Sequence, residues 1–94
     1  MESPQQSALQ TASRALWLAT LSLMTAFMQT SAPAHRYLLA RRIAANFTML
    51  SDQPCFSTAS QGSFTRLGRR WARRAEGLSP NKGHAGGGFG LPAT

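Results

Sequence analysis

The chain has 94 residues, ten of them basic and three acidic, for a formal net charge of +7. That length allows at most one small domain, and the lone cysteine, Cys55, excludes the paired-cysteine framework of small secreted proteins. Nine of the ten basic residues are arginine, with Lys82 as the tenth, a balance that favours anionic partners such as phospholipid head groups or an acidic protein, and less specifically nucleic acid. Arginine over lysine with few acids is also the composition of a mitochondrial presequence. A GC-rich, recently arisen reading frame yields the same bias.

Residues 1–14 are polar and weakly charged. The next segment, 15–34, is uncharged from Ala15 to Ala34 and carries Leu16, Trp17, Leu18, Leu21, Leu23, Met24 and Phe27 as the side chains expected to enter a membrane. As one helix, 20 uncharged residues reach about 30 Å, the thickness of a bilayer core. Thr20, Ser22 and Thr25 are tolerated there because each hydroxyl can return to a backbone carbonyl one turn earlier. Ala32-Pro33-Ala34 has the small-x-small form of a signal-peptidase site, so cleavage after Ala34 is the competing reading. Arg36, Arg41 and Arg42 lie just beyond it, and basic residues tend to stay on the cytoplasmic side, which favours an anchor over a signal.

Residues 35–50 read as a basic amphipathic helix. Leu39, Ile43, Phe47 and Leu50 recur on one face, with Arg41, Arg42 and Asn46 off it. Asn46-Phe47-Thr48 is a glycosylation sequon, meaningful only in the secretory lumen. Residues 51–63 read as loop, being small, polar and aperiodic.

Residues 64–78 form the strongest pattern. Phe64, Leu67, Trp71, Ala75 and Leu78 fall on one helical stripe, flanked by Arg66, Arg69, Arg70, Arg73 and Arg74. Ser63 is the expected N-cap and Gly77 the C-terminal stop. A basic helix with Trp71 on its apolar side suits an anionic bilayer surface or a partner's acidic groove. The segment is too short to be stable alone, so it is expected to form on a surface. The basic pairs suggest processing instead: cleavage at Arg42 and Arg70, with Gly68 as amide donor, releases Ile43 to Leu67. Residues 79–94 are rich in glycine and proline and are expected to be a disordered tail.

Catalysis is not expected. Glu2, Asp52 and Glu76 are isolated, His35 and His84 lie in interfacial or flexible stretches, and no scaffold holds a nucleophile, base and orienting group together. Cys55, His35 and His84 fall short of the about four ligands of a zinc site, so no metal, cofactor or small-molecule substrate is expected.

The expected fold is mostly α: one short hydrophobic membrane helix and one or two basic amphipathic helices, with a disordered loop, a Gly-rich tail and no substantial globular core. The expected function is that of a small non-enzymatic accessory or regulatory protein, bound to a mitochondrial membrane. The alternatives are a secreted peptide precursor whose signal peptide is 1–34, and a soluble basic interaction peptide.

Overall fold

The computed structural model describes residues 4–80, which form three helices and no strand. Helix α1 runs Pro4–Gln29, α2 Pro33–Ser51 and α3 Thr58–Leu78. Three residues join α1 to α2, and six join α2 to α3. Links this short fold each helix back against the one before it. The chain therefore runs up, down and up, with α1 and α3 parallel. Trp17 meets Phe64 while Phe27, ten residues further along α1, meets Trp71, seven residues further along α3.

Each boundary has a local cause. Pro33 opens α2 because its fixed φ suits the first helical position and its missing N–H is not needed there. Asp52 closes α2, its backbone N–H reaching the Met49 carbonyl at 3.1 Å. Ser57 caps α3: its Oγ accepts from the Ser60 N–H at 3.1 Å, satisfying one of the helix's orphan donors. The expected cap, Ser63, lies inside the helix, where its Oγ accepts from Arg66 Nη2 at 3.2 Å. Gly77 is likewise helical, and Ser79 takes the C-cap position.

The connection between α2 and α3 is correspondingly shorter than the 51–63 loop read from composition. Gln61 Nε2 donates to the Gln53 carbonyl at 2.8 Å, and Ser13 Oγ donates to Gln53 Oε1 at 2.9 Å. Gln53 thus ties α1, the connection and α3 together at one end of the bundle. Polar residues at 58–63 carry no apolar period, so only this tertiary tie and the Ser57 cap reveal the first turn and a half of α3.

The expectation of no substantial core is corrected. Phe27 from α1, Ala40, Ile43, Phe47 and Leu50 from α2, and Phe64, Trp71 and Ala75 from α3 are all buried together. Leu16, Trp17, Leu23, Met24, Leu39, Leu67 and Leu78 pack half-buried around them. No single helix has a wide apolar face, but three narrow faces converge, and large rings fill the space between them. Phe47 and Phe64 stack with centroids 6.1 Å apart; Trp17, Phe56 and Trp71 add edge or tilted contacts at 5.0 to 5.8 Å. Such pairs contribute roughly 0.5–1.5 kcal/mol each beyond their burial. Gly68 lets α2 and α3 approach closely: a Cβ there would meet Phe47 Cβ at 3.4 Å, Thr48 Oγ1 at 3.5 Å and the Ala44 carbonyl at 3.6 Å.

The expected membrane-spanning helix is also corrected. Among the described residues no helix is long and apolar enough to cross a membrane. The uncharged run is not one helix, because α1 stops at Gln29 and the chain turns before Pro33. The longest helical piece of the run, Ala15–Gln29, is about 22 Å against a hydrocarbon core of about 30 Å. From Pro4 onward, the polar segment 1–14 is the first part of α1. Apart from Ser79 and Pro80, the expected disordered tail lies outside the described residues.

Candidate polyanion-binding face

Helix α3 is divided sharply between core and solvent. Phe64, Gly68, Trp71 and Ala75 are buried, and Arg66, Arg69, Arg70, Arg73 and Arg74 are exposed. At about 100° per residue the five arginines occupy the half of the helix that faces away from the buried four. The division follows from the sequence: apolar residues at spacings of three and four take one side, and the arginines between them are carried to the other. Docking against α2 then presents the basic side rigidly.

Arg66, Arg69, Arg70 and Arg73, with Ser63 and Leu67, line a shallow surface groove of about 510 Å³. Arg70 and Arg74 border a second groove of about 260 Å³ with Leu67 and Trp71. Glu76 is the one acidic residue of α3 and stands at the edge of the face, in line with Arg69. The arginines repeat at i, i+4: Arg66 with Arg70, Arg69 with Arg73, and Arg70 with Arg74. Like charges at that spacing destabilise a helix by roughly 0.2–0.5 kcal/mol per pair. The face therefore lowers the stability of the protein that carries it, and an anion laid across it relieves that repulsion.

Trp71 was expected on the binding surface with these arginines. The structure places it in the core, in an edge contact with Phe27 at 5.0 Å, and the Arg74 guanidinium covers its ring at 4.9 Å. Phe64 is buried as well. The stripe read as a lipid-inserting face is spent on α1 and α2.

The side chains expected to enter a membrane divide in the same way. Phe27 is buried; Leu16, Trp17, Leu23 and Met24 are half-buried against the core; Leu18 and Leu21 are exposed. Exposed apolar side chains absent from the expectation are Leu9 and Met28 on α1, at 52% and 76% exposure, and Leu38 and Met49 on α2. Leu38 and Met49 stand opposite the buried row of α2 and Met28 about a quarter turn round from that of α1, positions legible only once the buried side of each helix is known.

The expected processing positions are all helical. Ala34 and Arg42 lie in α2, and Gly68 and Arg70 in α3, with Gly68 buried. Proteases take their substrates as extended chain, and in the fold none of these positions is extended. The sequon is helical too: Phe47 between its Asn46 and Thr48 is a core residue, and the Thr48 hydroxyl donates to the Ala44 carbonyl at 3.1 Å. Cys55 is exposed in the α2–α3 connection, and no group of three or more metal-ligating side chains occurs among the described residues.

Comparison with protein-family models, with curated proteins and with solved structures returns no match.

Proposed function

We propose that this chain is a small non-enzymatic accessory protein that acts by binding, and that it lies on an anionic membrane surface without crossing the bilayer. The observation that carries the reading is the outer face of α3, where five arginines are exposed within nine residues on a helix held rigid by its core side. Each basic residue near an anionic leaflet contributes about 1 kcal/mol. Five of them, already in helical order, do not incur the folding cost that an isolated peptide meets at the surface.

A membrane suits this face better than a single-stranded nucleic acid. Base stacking requires exposed aromatic rings, and the aromatic side chains of α3 are in the core. The arginine-over-lysine composition supports the mitochondrion, whose membranes carry cardiolipin, as the place of action.

The test is co-sedimentation with phosphatidylcholine vesicles with and without cardiolipin, titrated with salt. Binding only to the cardiolipin vesicles, weakened progressively by salt, is the expected result. Tighter binding to duplex DNA or RNA than to the vesicles at the same ionic strength would assign the face to nucleic acid instead.

A further inference from the structure

The face of α3 accounts for charge but not for the apolar side chains that α1 leaves in solvent. Trp17 is turned toward α3, its ring 5.2 Å from that of Phe64. Leu21 stands one turn further along, rotated about 40° outward from Trp17, and Met28 bears the same relation to Met24. Leu21 and Met28 are therefore on the α3 side of α1, at the rim where the two parallel helices part. They are 39% and 76% exposed.

The opposite rim belongs to α3. It carries half-buried Leu67 with Arg70 and Arg74, and the Arg74 guanidinium reaches across to α1, 5.6 Å from the centre of the Phe27 ring. The open edge of the bundle thus has an apolar bank of Leu21, Met24 and Met28 beside a cationic bank of Arg70 and Arg74.

Two further observations bear on what covers this edge. The outer hydroxyls of the C-terminal half of α1 are already satisfied by its own backbone: Ser22 Oγ donates to the Leu18 carbonyl at 3.2 Å, and Thr25 Oγ1 to the Leu21 carbonyl at 3.1 Å. Removing water from them leaves no donor unpaired. Moreover, α1 carries no charged residue after Arg14. An apolar strip bordered by arginines is what a surface of anionic lipid accepts, with acyl chains against the strip and phosphates against the guanidinium groups. A second copy of the chain fits poorly, because edge-to-edge contact crowds Arg70 and Arg74 of each copy at a net charge of +7.

We infer that the α1–α3 edge is the part of the protein that enters an anionic membrane interface, with Leu21 and Met28 below the head groups and Arg70 and Arg74 on the phosphates. This rests on the membrane reading proposed above and adds a depth and an orientation to it. The chain lies with the α1–α3 edge downward and the back of α2 away from the lipid.

An environment-sensitive nitrobenzoxadiazole label at Met28→Cys, in a Cys55→Ser chain, tests it with the same cardiolipin vesicles. Ala45→Cys, exposed on the back of α2, is the control. A blue shift and rise in emission at position 28, absent at position 45, is the expected result. The pair Leu21→Asn and Met28→Asn should weaken vesicle affinity about tenfold or more with the helical melting curve retained. Sedimentation without a shift at position 28 would overturn the edge while leaving the arginine face in place. No sedimentation at all would overturn both. A shift at position 28 that grows with protein concentration in the absence of vesicles would show that a second copy covers the edge, and would overturn the inference.

Discussion

The guanidinium of Arg36 lies 4.0 Å from the centre of the Phe27 ring, and its Nη1 donates to the carbonyls of Phe27 at 3.2 Å and Thr30 at 3.0 Å. One side chain from the first turn of α2 thereby covers a core ring and satisfies carbonyls left open where α1 ends. It also sets a positive charge against the negative end of the α1 dipole. As sequence, Arg36 reads as one of the charges that resist transport across a membrane. In the fold it holds the α1–α2 turn.

Replacing Arg36 with alanine should cost about 2 kcal/mol, since hydrogen bonds from a charged donor and a cation–ring contact are both lost. For a domain of this size, that lowers the thermal midpoint by roughly 10 °C. Lysine should recover part of the loss, because it keeps the charge without the planar ring contact. Circular dichroism melting of the three proteins checks the order. An alanine variant that melts with the unaltered protein would remove Arg36 from the account of the turn.

Gly68 offers a test of how closely α2 and α3 pack. An alanine Cβ would find neighbours at 3.4 Å and beyond, which is ordinary contact, and alanine is favoured over glycine in a helix by about 1 kcal/mol. Gly68→Ala should therefore be neutral or stabilising. Gly68→Leu has no room between the helices and should destabilise by about 1–3 kcal/mol. Urea titration distinguishes the pair; equal midpoints would mean that the helices do not meet at this position.

Phe47 is completely buried where Trp17 and Phe64 meet α2. Phe47→Ala should cost about 3–5 kcal/mol. That is comparable with the whole stability of many small domains. Loss of near-ultraviolet dichroism and fuller solvent exposure of both tryptophans is the expected readout, and a folded variant with both tryptophans as shielded as before would argue against a single shared core.

The arginine face should behave oppositely in stability and in binding. Changing Arg66, Arg69, Arg70 and Arg73 to glutamine removes repulsion between i, i+4 neighbours. The melting temperature at low salt should stay level or rise by a few degrees, by roughly 0.2–0.5 kcal/mol per relieved pair. The same variant should lose cardiolipin-vesicle binding. A drop in melting temperature would show that these arginines support the fold.

Part of this was legible from the chain alone. The periodicity of Phe64, Trp71 and Ala75, and of Ile43, Phe47 and Leu50, marks both helices and their buried sides, because side chains three and four apart share a helical face whatever the surroundings. The same spacing throws Arg66, Arg69, Arg70, Arg73 and Arg74 to the other side of α3, so the basic face follows from local geometry. What local pattern leaves open is the medium that an apolar stripe will meet, since lipid, a partner groove and a neighbouring helix all accept the same residues.

Tertiary structure made that choice. Turning the chain at Thr30–Ala32 divides the uncharged run between two helices and leaves too short a stretch to cross a bilayer. The close approach at Gly68 and the rings of Trp17, Phe27, Phe47, Phe64 and Trp71 then bury the stripes against one another. Three faces, each too narrow to hold a core alone, suffice when they converge, because burial depends on what lies opposite a side chain as well as on the side chain itself. Only after that convergence do Leu21 and Met28 stand apart, as apolar groups that the core leaves uncovered.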